Sequence, residues 1–84
     1  MAMKKVLITR RSPRRWQASV SVDRKVTLID IVSHGSGRWG ITLTSRGTND
    51  SYEVSDAKRE DAIRSAYERL GIAGNVEEEM QSDG

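Results

Sequence analysis

The chain has 84 residues, with 14 Lys and Arg against 12 Asp and Glu and a formal charge of +2 at pH 7. That length suits one small domain and excludes two, and the absence of cysteine excludes disulfide staples and thiol catalysis. No apolar run reaches the roughly 18–20 residues of a membrane span, nor the roughly 7–15 of a signal peptide core, so a soluble cytoplasmic protein with no membrane partner is expected.

Residues 4–9 alternate weakly and predict a short first strand. Pro13 lacks an N–H and fixes φ, so Arg10-Arg11-Ser12-Pro13-Arg14-Arg15 reads as a turn or a sheet edge. Residues 15–22 form the second predicted strand, ending in a turn at Asp23-Arg24. Residues 25–33 form a third, rich in β-branched side chains and apolar on both faces. Val26, Leu28 and Val32 share one face with Asp30; Ile29 and Ile31 share the other. That pattern suggests a central strand covered on both sides, or a strand whose second face meets a partner; the predicted core takes Val26 and Leu28 and leaves Ile29 and Ile31 to the second face. His34-Gly35-Ser36-Gly37 predicts a hairpin connection, and residues 38–45 a fourth strand. Arg46 to Asp50 reads as a turn-rich loop, and Ser51 to Val54 as a short fifth strand.

A helix is predicted over residues 56–70. Ser55 or Asp56 serves as N-cap, and Ala57, Ala62, Ile63, Ala66, Tyr67 and Leu70 give an apolar stripe. Gly71 is the expected left-handed residue beyond its end, with Ile72 folding back. Residues 74–84, with Glu77-Glu78-Glu79, offer little to bury and are expected to form a flexible acidic tail, leaving 1–73 as a single α+β domain. The predicted fold is a small twisted antiparallel sheet of three to five strands with one C-terminal helix on one face. Its predicted core is Val6, Ile8, Trp16, Ala18, Val20, Val26, Leu28, Trp39, Ile41, Leu43, Tyr52, Ile63, Ala66, Tyr67 and Leu70.

Two segments share one pattern. Arg15-Trp16-Gln17-Ala18-Ser19-Val20-Ser21 and Arg38-Trp39-Gly40-Ile41-Thr42-Leu43-Thr44 each alternate an apolar face with a polar one. Gly35-x-Gly37-x-x-Gly40 spells a dinucleotide fingerprint, but a strand follows it where that motif needs a helix, so the glycines serve a hairpin. His34 is the sole histidine and sits in a glycine loop, an exposed position and not a base. Asp56 and Glu60, at the helix start, complement its dipole more simply than they bind metal. No enzyme activity, cofactor or metal is expected.

Charge is strongly divided. Residues 1–46 carry ten basic and two acidic residues, a net +8, whereas residues 47–84 carry four basic and ten acidic, a net −6. Such division suggests a polyanion-binding region beside an acidic element. The expectation is a small non-enzymatic nucleic-acid-binding protein, with DNA favoured over RNA. Its contact residues are Arg10, Arg11, Arg14, Arg15, Trp16, Gln17, Arg24, Lys25 and Arg38. Five arginine–phosphate contacts would give a log–log salt slope of about −4.5 on duplex DNA. In this reading the acidic tail shields the basic face. The alternative is an interaction or inhibitor protein of the kind phages and plasmids encode. It would bind a host protein, or pair as a homodimer, through Arg14, Arg15, Trp16 and the Ile29/Ile31 face.

Residues 9–20, Thr-Arg-Arg-Ser-Pro-Arg-Arg-Trp-Gln-Ala-Ser-Val, resemble the opening of the plant ethylene-response-factor type of DNA-binding domain. The Val54-Ser55-Asp56 to Tyr67 stretch is similar to that module's strand end and alanine-rich helix, as it is to the arm-binding domains of phage integrases. The resemblance implies a three-stranded sheet laid in the major groove and backed by one helix. The Arg38-Trp39 segment has no counterpart in that pattern.

Overall fold

The computed structural model describes residues 4–22, 24–72, 74 and 76–80. The described chain is α+β: strands β1 (Lys4–Ser12), β2 (Arg15–Val22), β3 (Lys25–Gly35), β4 (Arg38–Ser45) and β5 (Thr48–Val54), then α1 (Arg59–Arg69) and β6 (Val76–Met80). The sheet is mixed and six-stranded, in the order β5-β4-β3-β2-β1-β6. The first five strands form an antiparallel meander joined by tight turns. Because β5 runs the same way as β1 and α1 reverses the chain, β6 pairs with β1 in parallel.

β6 corrects the expectation of a tail at residues 76–80. These residues bury little, but pairing with β1 satisfies backbone groups on both strands. Tyr67 donates its hydroxyl hydrogen to Glu78 Oε1 at 3.0 Å, and Lys5 Nζ lies 3.0 Å from Glu79 Oε2. Residues 81–84 lie outside the described residues. Six strands therefore replace the expected three to five, and the acidic β6 presents a charged edge that discourages further pairing.

α1 lies over β3 and β4. Ala62 and Ala66 are fully buried, and as small residues they let helix and sheet approach closely. Asp56, with φ +52°, interrupts the helical path, so α1 starts later than expected. Lys58 is its N-cap, and the Lys58 backbone N–H donates to Asp61 Oδ2 at 3.0 Å. The far end follows the sequence. Gly71 adopts φ +71°, its N–H donates to Glu68 O, and Ile72 N–H donates to Tyr67 O. Three contacts tie β5 to the helix: the Arg69 guanidinium lies 4.2 Å from the Tyr52 ring centre, Arg69 Nε donates to Asp50 Oδ2 at 3.1 Å, and the Tyr52 hydroxyl lies 3.3 Å from Ser65 Oγ.

The core lies between α1 and one sheet face. It contains Val6, Ile8, Trp16, Ala18, Val20, Ile29, Ile31, Trp39, Ile41 and Leu43 from the strands, with Ala62, Ala66, Tyr67 and Ile72. The expected facing of β3 is reversed. Ile29 and Ile31 are 1% and 0% exposed, whereas Val26 and Leu28 are 51% and 53% exposed. Register explains the reversal. Val22 pairs with Lys25 across a tight turn, which sets Trp16 opposite Ile31 and Ala18 opposite Ile29. Residues paired directly across a ladder share a face, so the isoleucines join Trp16 and Ala18 beneath the helix. The expected loop at residues 46–50 is a tight turn at Arg46-Gly47, and β5 begins at Thr48.

Candidate nucleic-acid interface

A bulge in β1 decides where the arginines point. Up to Ile8 the β1–β2 register pairs Val6 with Val20 and Ile8 with Ala18. It then shifts, so that Arg10 pairs with Gln17, Arg11 with Trp16 and Ser12 with Arg15. The extra residue flips the alternation. Arg10 and Arg15 stand on the open face, and Arg11 stands on the helix-covered face beside Trp16. Arg14 is exposed in the intervening turn.

That turn is held on several sides. Ser12 Oγ donates to Arg15 O at 3.2 Å, Ser33 N–H donates to Arg14 O at 2.9 Å, and Arg59 Nη1 donates to Ser12 O. The β3–β4 hairpin lies at the same end of the sheet. Gly35, Ser36 and Gly37 all take positive φ there, and Arg38 is exposed at the start of β4. Ala57 N–H donates to Gly37 O at 3.1 Å, which brings the start of α1 to this end as well. Five of the expected contact residues, Arg10, Arg11, Arg14, Arg15 and Arg38, are thus gathered at one end. Lys58 and Arg59 join them unforeseen. A cation in a first helical turn opposes the helix dipole, and that mismatch is the sequence signal for Arg59.

The same geometry separates the rest. Arg24 and Lys25 lie at the opposite end of β2, which has eight residues and so spans roughly 25 Å. With a screening length of about 8–10 Å in physiological salt, the two ends act as separate electrostatic sites. Gln17 is half-buried on the open face, between Arg10 and Asp30. Trp16, expected among the contact residues, belongs to the core instead. It is 2% exposed, and its ring meets Tyr67 edge-on at 6.2 Å, leaving no face for a base.

Internal pairing takes only part of the positive charge. Arg15 reaches Asp30 with two bonds, Nε to Oδ1 and Nη2 to Oδ2, each 3.2 Å. Among the described residues, no carboxylate comes within 4.0 Å of the guanidinium of Arg10, Arg11, Arg14 or Arg38. The acidic run of β6 lies beside the other half of β1. Glu79, by hydrogen bonding and charge, raises the pKa of Lys5, and the described part of that run does not reach the arginine turn. Tyr67 is raised further above the ordinary phenol value, by burial first and then by the nearby Glu78 charge.

The sheet cannot enter a groove face-on as the three-stranded resemblance implies. Six strands at about 4.8 Å spacing span roughly 24 Å, twice the roughly 12 Å width of the major groove. A hairpin end is narrow enough to approach phosphates.

No protein-family model, curated protein or solved structure matches the chain. The functional reading therefore rests on the residues themselves.

Proposed function

We propose that the protein is a small nucleic-acid-binding protein that grips phosphates with the arginine-bearing hairpin end of its sheet. The observation that carries this reading is the contrast within one cluster: Asp30 holds Arg15, while Arg10, Arg11, Arg14 and Arg38 have no carboxylate partner among the described residues. Like charges held together in a braced turn repel one another, and an anion relieves that repulsion. The turn is fixed in advance, so binding loses little conformational freedom. Backbone phosphates are the fitting target, because guanidinium forks match phosphate oxygens and no exposed aromatic ring offers to stack on bases.

Four phosphate contacts give a log–log salt slope of about −3.6 on duplex DNA, shallower than five contacts would give. The test is a titration of labelled duplex DNA between 50 and 200 mM salt. Changing Arg10 and Arg14 to Ala should reduce the slope by about 1.8 and weaken binding similarly for any base sequence. An unchanged slope in that double variant rejects this surface.

A second reading is favoured by Val26 and Leu28, which stand 51% and 53% exposed on the open face. There they neighbour Ser19, Ser21 and Thr44. An apolar pair among hydroxyl groups suits a protein partner, and it replaces Ile29 and Ile31 in the interaction-protein hypothesis. Retention on heparin that disappears with salt supports the first reading. A salt-insensitive complex or a dimer mass, abolished by Leu28→Asp, supports the second.

A further inference from the structure

One whole face of the sheet is bare. α1 packs on the other side, and among the described residues no second helix or strand lies over this face. β3 runs along its middle, with β4 and β5 to one side and β2 and β1 to the other. The open-face side chains of β3 include Val26, Leu28 and Val32, together with Asp30. Val26 and Leu28 are about half exposed, so β3 gives the bare face an apolar spine.

The polar groups around that spine already answer one another. Asp30 accepts from Arg15, Lys5 pairs with Glu79, and Thr42 Oγ1 lies 3.3 Å from Ser51 Oγ. A covering surface would take water from groups that keep their partners, which lowers the cost of burying them. The outer strands of the five-stranded patch, β1 and β5, each carry one open-face charge with no ion partner among the described residues: Arg10 and Glu53.

We infer that a second copy of this chain packs on the bare face, sheet against sheet, about a two-fold axis along β3. A second copy is thereby named as the partner for Val26 and Leu28, and this rests on the reading of those two residues as a protein contact. About this axis the apolar spine meets itself and β1 lies over β5 of the second copy. Arg10 then comes within reach of Glu53 of the second copy, and the symmetry makes that pair twice. The sheet edges suit a second copy less well, since β5 and β6 both carry acids and edge-to-edge pairing sets like charges together. Five strands at about 4.8 Å spacing and a spine of about 20 Å bound a patch of roughly 500 Å² on each copy. A pair buries roughly 1,000 Å², the lower limit for a specific interface. The dimer is accordingly reversible, and it is dissociated at the low concentrations of a DNA titration, where Arg10 is free for phosphate.

The test is sedimentation equilibrium of the full chain without nucleic acid, from about 10 μM to about 1 mM, the range in which so small an interface dissociates. The mass should rise from one chain toward two. Leu28→Asp sets a carboxylate on the spine and should weaken association at least about ten-fold. Arg10→Glu and Glu53→Arg should each weaken it by about ten-fold, by setting like charges together. The double variant restores opposite charges and should recover the parent's association to within about three-fold. Should Leu28→Asp fail to fold, the charge swap still decides. A one-chain mass at the highest concentration overturns the proposal, as does a dimer untouched by Leu28→Asp or a double variant no better than the singles. If a one-chain mass is found while the immobilised chain retains a different protein that Leu28→Asp releases, the partner reading stands and only the second copy is wrong.

Discussion

The two Arg-Trp pairs begin alike and end differently. Arg15-Trp16 opens β2 and Arg38-Trp39 opens β4, and these strands flank β3 on its two sides. Both tryptophans turn beneath α1 and are buried, at 2% and 7% exposure. Their partners differ. Trp16 meets the Tyr67 ring, whereas Trp39 Nε1 donates to Ala57 O at 3.0 Å and so anchors the segment leading into the helix. The arginines diverge further. Asp30 of β3 lies diagonal to Arg15, since Gln17 is the residue directly opposite it, and captures the guanidinium. Arg38 faces Gly35 and stays exposed. Strand alternation fixes which way each side chain points. The neighbouring strand decides whether its charge remains available.

The largest effect should come from the shared half of the pattern. Trp16→Ala or Trp39→Ala should each cost about 3–5 kcal/mol, a large share of the roughly 5–15 kcal/mol that holds a small domain together. Urea unfolding followed by circular dichroism measures it, and a loss below about 1 kcal/mol in either would mean that ring does not anchor the core. Phenylalanine replacements then separate the two. Trp39→Phe leaves Ala57 O without its donor and should cost about 1 kcal/mol more than Trp16→Phe. Equal costs would remove the distinction.

The alternation, the helix and its glycine stop were legible because each is a local pattern. The Arg-Trp segments, the Ala62/Ala66 stripe and Gly71 announce themselves within a few residues. Facing across strands was less legible, because it depends on register. The turn at Asp23-Arg24 already implied that Trp16 opposes Ile31, so the facing of β3 was recoverable from turn length. The bulge after Ile8 carried no comparable mark. No glycine announces it, yet it alone sends Arg11 to the helix side and Arg10 to the open face. β6 was illegible for another reason. Its stabilising partner is the β1 edge, more than sixty residues away in sequence, and its own composition argues against order. The candidate site was half legible: the arginine turn stands out in sequence, but its bracing by Arg59 and Ser33 is purely tertiary.

Tyr67 gives a smaller test, on the Trp16 side of the comparison. Burial and the Glu78 charge raise its pKa above the roughly 10 of an unfolded tyrosine. The folded state therefore holds its phenolic proton when the unfolded chain has lost it. That contribution is fully present below about pH 10 and is lost as pH rises beyond it toward the folded value. Tyr67→Phe should cost about 1 kcal/mol at neutral pH through the lost bond to Glu78. It should also make the decline in stability between about pH 9 and 11 shallower than in the parent chain. Parallel declines would show that Tyr67 is not protected.

The smallest effect on stability is the most telling about function. The Arg15–Asp30 pair is exposed by more than a third on both sides, 40% and 35% of the side chains, so solvent screening limits it to about 0–1 kcal/mol. Asp30→Asn should therefore shift the unfolding midpoint little. It releases Arg15 on the open face, beside Arg10 and the arginine turn. If the phosphate-gripping end is as proposed, the salt slope on duplex DNA should steepen by about 0.9, one further contact. Arg38→Ala should make it shallower by a similar amount, while Arg15→Ala in the parent background should leave it nearly unchanged, because that charge is already engaged. This ordering belongs to specific contacts at one end of the sheet. A basic field spread over the whole molecule would respond to net charge alone, and Arg15→Ala and Arg38→Ala would then weaken binding equally.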